Sequence, residues 1–157
     1  MIVYHGTNRN FDKIDLTKSK DNRDFGKGFY TTSLPEQASH WARNLYLRYD
    51  GEGCYVKCYK FIEVESLKIK KFDEMNSDWL EFVKICRTNG GTPHDYDIVI
   101  GPVANDNTMR TIALYISGIY TTSQAIEQLR FFKTNNQISF HTEKALVCLK
   151  YLETKEV

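Results

Sequence analysis

The spacing of apolar positions changes period several times along the chain, and each change marks an element. Ile2-Val3-Tyr4-His5 is a short β-favouring run closed by Gly6-Thr7, which predicts a first strand with His5 at its C-terminal end. Asn8 to Arg23 is polar apart from a brief alternation at Ile14 and Leu16, which predicts a long loop lying over a cleft. Phe29 to Thr32 predicts a second strand, with Phe29 and Tyr30 on opposite faces. Ser33-Leu34-Pro35-Glu36 has the form of a capping box with proline in the first turn. The helix it opens runs to about Arg48, and its stripe of Ala38, Trp41, Ala42 and Leu45 puts Trp41 in the core.

Beyond the turn Asp50-Gly51-Glu52-Gly53, Cys54 to Val64 and Leu67 to Phe72 read as strands. Ser77 reads as the cap of a second helix that buries Trp79, Phe82, Val83 and Cys86 and ends at Asn89-Gly90-Gly91. Tyr96 to Val103 holds a continuous apolar run stopped by Pro102, the pattern of a buried strand. Two helices follow, about Thr108 to Ile116 and Ser123 to Phe131, separated at Gly118. Gln137 to His141 alternates, with Gln137, Ser139 and His141 on one face and Ile138 and Phe140 on the other. Thr142 is placed to cap a short helix through Leu149, and the tail from Lys150 to Val157 either continues it or forms an edge strand.

Composition narrows the class. The 157 residues suit one domain over 1–157, and 41% hydrophobic with 26% charged residues is ordinary for a globular chain. No run of about 18 apolar residues occurs, so no membrane span and no membrane partner are expected. Met1 to His5 lacks the basic block and apolar run of a secretory leader. A net charge of +1 argues neither for nor against nucleic acid, and Lys68, Lys70 and Lys71 read as a solvated strand edge. Cys54 and Cys58 would lie roughly 13 Å apart on a strand, too far for one zinc ion, and no CxxC pair appears. No metal site is expected, and the cysteines read as reduced thiols of a cytoplasmic protein.

The chemistry concentrates in Asn22-Arg23-Asp24-Phe25-Gly26-Lys27-Gly28-Phe29-Tyr30-Thr31-Thr32. Two glycines flank one lysine, allowing a sharp turn and close approach of a ligand, and an aromatic strand follows. Tyr4-His5-Gly6-Thr7, Gly26-Lys27-Gly28-Phe29-Tyr30 and Gln137-Ile138-Ser139-Phe140 resemble the three motifs of ADP-ribosyltransferases of the His-Tyr-Glu group. That group includes diphtheria toxin and the poly(ADP-ribose) polymerases. Over nearly its full length the chain is similar to an uncharacterised bacterial family placed in that superfamily, through Asp97 to Ala104 and Gln137 to Leu146.

The resemblance implies an α+β fold of split antiparallel sheets with flanking helices, and NAD+ as co-substrate in a cleft between the sheets. It implies that His5 bonds the adenosine ribose, that the Gly6 backbone holds the nicotinamide carboxamide, that Tyr30 stacks on nicotinamide and that Gln137 bonds the nicotinamide ribose. Thr7, Gly28 and Ser139 are expected beside the ligand. Lys27 and Arg23 are candidates for the diphosphate; His40 and His94 read as surface residues, and His141 as structural. A cationic ring over a tyrosine face gains roughly 0.5–2 kcal/mol.

The third position departs from the group, which carries glutamate there. Gln137 accepts a hydroxyl bond but brings no charge. At about 5 Å and an effective dielectric near 20, a carboxylate contributes about 3 kcal/mol to a developing ribosyl cation, or around a hundredfold in rate. Glu143 is the nearest acid in sequence. The expected activity is mono-ADP-ribosylation of a protein or nucleic-acid acceptor, in a toxin or effector setting with a small antitoxin-like partner. An NAD+ glycohydrolase and a catalytically silent NAD+- or ADP-ribose-binding module are the alternatives. No ExE motif follows the third strand, which disfavours arginine as acceptor.

Overall fold

A computed structural model describes residues 1–132 and 135–157. Its elements are β1 (Ile2–Thr7), β2 (Phe29–Thr31), α1 (Pro35–Tyr49), β3 (Tyr55–Phe61), β4 (Ile69–Lys71), α2 (Ser77–Asn89), β5 (Ile98–Pro102), α3 (Asp106–Ile116), α4 (Thr122–Leu129), β6 (Asn136–Phe140), α5 (Glu143–Leu146) and β7 (Leu149–Glu156). A 3₁₀ turn, Leu16–Lys18, interrupts the long loop after β1. No helix among the described residues is long and apolar enough to cross a membrane.

The strands form two sheets, β1-β3-β7 and β2-β6-β5-β4. All pairs are antiparallel except β4 with β5, so the second sheet is mixed where full antiparallel pairing was expected. The sheets touch edge to edge at one bridge, where Tyr4 and Thr32 exchange backbone bonds of 2.8 and 2.9 Å. The tail is a strand, β7, paired along β3. Its exposed positions suit a sheet edge that faces water.

Burial fixes the order of layers. Val3, Phe29, Tyr59, Phe61, Ile98, Ile138 and Phe140 pack between the two sheets. Phe11, Ile14 and Leu16 of the long loop close the same core, so that loop is packed rather than laid over open space. The other face of the second sheet carries Val99 and Phe72 against Trp79, Leu80 and Val83 of α2, Ile112 and Tyr115 of α3, and Leu129 of α4. The Trp79 indole donates to the Pro102 carbonyl at 3.1 Å and ties α2 to the end of β5. On the outer face of the first sheet, Ala38 of α1 packs on Tyr4, Val56 and Cys58.

Two caps fall one residue from their expected places. The cap of α1 is Leu34, which offers no side-chain bond, because Pro35 already occupies the first helical position; the Ser33–Glu36 capping box does not form. The cap of α2 is Asn76, whose side chain accepts from the Trp79 N–H. Trp41 is also displaced from the core. The buried face of α1 is narrow, made of Ala38 and Ala42, and Trp41 sits half-buried on its flank.

Candidate active site

β1 places His5 on the face that looks at the second sheet. Its ring stacks on Phe29 with centroids 4.1 Å apart and meets Phe11 edge-on at 5.9 Å. The ring Nδ1 donates to the Tyr30 carbonyl oxygen at 2.7 Å. A carbonyl only accepts, so this nitrogen carries the proton. Burial holds the imidazole neutral and lowers its pKa to about 4; the Tyr30 carbonyl opposes that shift and Lys57, its register partner on β3, reinforces it.

Tyr30 alternates with Phe29 and turns to the opposite face of β2. Its hydroxyl donates to the Gly26 carbonyl at 2.5 Å and accepts from the Phe25 N–H at 3.0 Å. Its ring packs on the helix-side core and meets His141 edge-on at 6.2 Å. Burial, then the Asp24 charge, pushes its phenol well above the usual tyrosine range. The expected cleft lined by the His5, Tyr30 and Gln137 side chains together is not formed. The three are gathered about one turn, but the His5 ring and the Tyr30 ring lie on opposite faces of β2.

Gln137 is the second residue of β6 and only 4% exposed. Its amide nitrogen donates to the Asp24 carboxylate at 3.0 Å and to the Pro102 carbonyl at 3.3 Å. Both partners only accept, so the amide is fixed with its oxygen turned away from them. Asp24, also buried, takes the Arg87 guanidinium on its other oxygen and the Ala104 N–H at 2.9 Å. The acid beside the third-motif residue is therefore Asp24, and Glu143 is exposed on α5. Sequence spacing gave no sign of this, because Asp24 and Gln137 are 113 positions apart and Arg87 joins them from a third element.

The remaining candidates have structural tasks. A Cβ on Gly6 would lie 2.0 Å from the Ala38 carbonyl oxygen, so glycine here lets α1 approach β1. Tyr4 bonds outward to Thr32, and the ladder alternation turns the Gly6 N–H and C=O outward as well, away from β3. Thr7 is buried and its hydroxyl accepts from the Arg9 N–H at 3.2 Å. A Cβ on Gly28 would meet the His141 ring at 2.6 Å. Ser139 is fully buried, 2.7 Å from His141 Nε2 and 3.2 Å from the Val99 carbonyl. Lys27 and Arg23 lie in the turn, with the Lys27 carbonyl accepting from His141 at 2.8 Å. His94 is not a surface group: its Nε2 donates to the Phe25 carbonyl at 2.8 Å.

A groove of about 560 Å³ opens between the first turns of α1 and the ends of β5 and β6. Leu34, Gln37, His40 and Trp41 form one wall, and Val103, Asn105 and Asn135 the other. Gln137 lies two residues beyond Asn135, buried and not itself part of the groove's lining. The side-chain oxygen of Gln37 is buried without a hydrogen-bond partner among the described residues. A large flat ring and a lone acceptor thus border one opening. Helical spacing alone puts Trp41 in the core; the signal that it lines a groove is the pair of alanines, Ala38 and Ala42, too small to keep so wide a face covered.

The class defined by this architecture is an α+β domain of two mostly antiparallel sheets between helical layers. The chain belongs to the family described as protein of unknown function (DUF3990), whose match covers residues 1–151. No curated protein and no solved structure matches it significantly.

Proposed function

We propose that this domain transfers ADP-ribose from NAD+ to a macromolecular acceptor. The observation that carries the reading is the groove bordered by the Trp41 ring and the unpartnered Gln37 oxygen, near in sequence to the buried Gln137 amide held on Asp24. In this reading the Trp41 ring is the platform for the cationic pyridinium, and the ribose lies on the Gln137 side of the groove. Indole is the strongest of the aromatic partners for a cation, at roughly 0.5–2 kcal/mol. The Gln37 oxygen offers an acceptor for a ligand N–H. Tyr30 instead builds the turn that holds Asp24.

In the reaction the bond between ribose C1′ and the pyridinium nitrogen breaks, and its electron pair neutralises the departing nicotinamide. The acceptor forms the new bond to C1′ and loses a proton. Fixing both ends of the breaking bond is what the chain contributes. Asp24 adds negative charge near the ribosyl cation, though Arg87 offsets part of it.

That offset, with both hydrogen-bonding positions of the Tyr30 hydroxyl already used, favours one second reading: a module that binds NAD+ or ADP-ribose without turnover. NAD+ titration with indole fluorescence, run beside nicotinamide release with and without cell lysate, separates the two. The transferase reading expects saturable quenching that Trp41→Phe weakens, and lysate-dependent release of nicotinamide. Quenching without release supports the silent module. Release that is equally fast without lysate indicates hydrolysis, and no saturable response at millimolar NAD+ ends all three.

A further inference from the structure

A second opening lies on the face of the first sheet that also carries His5, towards the β7 edge. It has a volume of about 350 Å³ and is lined by Asn10, Phe11 and Asp12 of the long loop, Lys57 of β3, and Tyr151 and Thr154 of β7. Lys57 is 3% exposed, and no carboxylate among the described residues forms an ion pair with it. A buried ammonium without a counter-charge costs several kcal/mol unless its protons are bonded. Two of its three protons go to Asn10 Oδ1 and Thr154 Oγ1, each 3.0 Å away. The rings of Phe11 and Tyr151 lie 4.7 and 5.7 Å from the nitrogen and offset a further part.

More donors converge here than the protein uses. With its oxygen on Lys57, Asn10 still presents its amide protons. Tyr151 and Thr154 share one hydroxyl bond at 3.0 Å, so one of the two hydroxyl protons is left to give. Asp12 is exposed at the rim and opposes an anion weakly, through water.

We infer that Lys57 is the floor of a phosphate-binding site, separate from the Trp41 groove and independent of the function proposed for it. A tetrahedral oxyanion supplies the missing counter-charge and enough acceptor oxygens for the third ammonium proton, the Asn10 amide and the hydroxyl. The source is either free phosphate or a phosphate ester, for which Phe11 and Tyr151 would flank the organic part. Binding joins the long loop to β7 across the sheet.

The test is NMR titration of the backbone amides of Asn10, Lys57 and Thr154 with inorganic phosphate and with adenosine monophosphate, at constant ionic strength set with chloride. Saturable shifts at about 1–10 mM are expected, and the tighter of the two probes identifies the source. Lys57→Met should weaken the response at least about tenfold yet remain folded, since exchanging a buried charge for an apolar chain of similar volume is neutral or stabilising. Thr154→Val should weaken it about threefold, and Asp12→Asn should tighten it about twofold. Absence of saturable shifts overturns the proposal, as does a Lys57→Met variant that responds like the parent. Weaker binding in Asp12→Asn also overturns it, because the site would then prefer a dipolar ligand.

Discussion

The His5 ring donates from Nδ1 to the Tyr30 carbonyl oxygen across 2.7 Å, and that bond joins the first sheet to the second beside the Tyr4–Thr32 backbone bridge. Two other histidines do the same to the same segment. His94 donates to the Phe25 carbonyl and His141 to the Lys27 carbonyl, each at 2.8 Å. Three rings from three parts of the chain thus hold the turn that carries Asp24 and Tyr30.

This has a consequence for pH. Burial, the first cause in each case, lowers the pKa of His5 and His141 to about 4 and also lowers that of His94, all from 6.5. A depressed histidine binds fewer protons folded than unfolded, so stability is full above about 6.5 and is lost as pH falls towards about 4. Lys57 beside His5, and His94 edge-on to His141 at 4.6 Å, add like-charge repulsion once protonated. Each of the two strongly shifted rings accounts for up to about 3 kcal/mol. Urea midpoints at pH 7 and pH 4.5 should differ sharply, and His141→Asn should reduce the difference. A flat profile between those values would remove the histidines from this role.

The contact between Gln137 and Asp24 accounts for an amide rather than an acid at this position. A glutamate there would set a second carboxylate about 3 Å from the Asp24 oxygen in a buried site, and one of the two would have to stay protonated. Gln137→Glu should therefore cost about 1–3 kcal/mol at neutral pH and less at pH 5. Asp24→Asn in the same chain should recover part of the loss. Denaturant unfolding of the two variants measures this, and an unchanged midpoint in Gln137→Glu at pH 7 would show that the two groups are not in contact.

Gly6 tests the closeness of α1 to the first sheet. Its neighbour is backbone, the Ala38 carbonyl 2.0 Å from where a Cβ would stand, so no side-chain rotation relieves the clash. Gly6→Ala should cost about 3 kcal/mol or more, or prevent folding. A shift in thermal midpoint of less than a few degrees would mean that α1 sits further out.

What the sequence made legible were the elements set by local pattern. The strand at Ile98–Pro102, the Phe29/Tyr30 alternation and the long helix after Pro35 lie close to where periodicity puts them. What it could not show is which face of β2 each partner would meet. His5 and Gln137 reach that strand from opposite sides, a fact fixed by layer order rather than by spacing. Asp24 was legible as an acid in a glycine-rich turn, but its importance depends on Arg87 and Gln137, which only packing brings to it. Trp41 was misplaced because helical spacing identifies a face broadly, and the buried part of this face is two alanines wide.

The roles now divided between Tyr30 and Trp41 give the last prediction. The Tyr30 hydroxyl is used twice within its own turn, so Tyr30→Phe leaves the Phe25 N–H and the Gly26 carbonyl without that partner. The cost should be about 1–2 kcal/mol in stability, with NAD+ affinity nearly unchanged. Trp41 is a half-buried wall of the groove, and its loss uncovers little core. Trp41→Ala should therefore lower stability by no more than about 1 kcal/mol while weakening NAD+ binding about tenfold, an amount within the range of a ring–cation contact. Calorimetric titration and urea unfolding of both variants read the two axes separately. The opposite result, with Tyr30→Phe losing affinity and Trp41→Ala losing only stability, would return the nicotinamide to the Tyr30 face and move the donor site away from the groove.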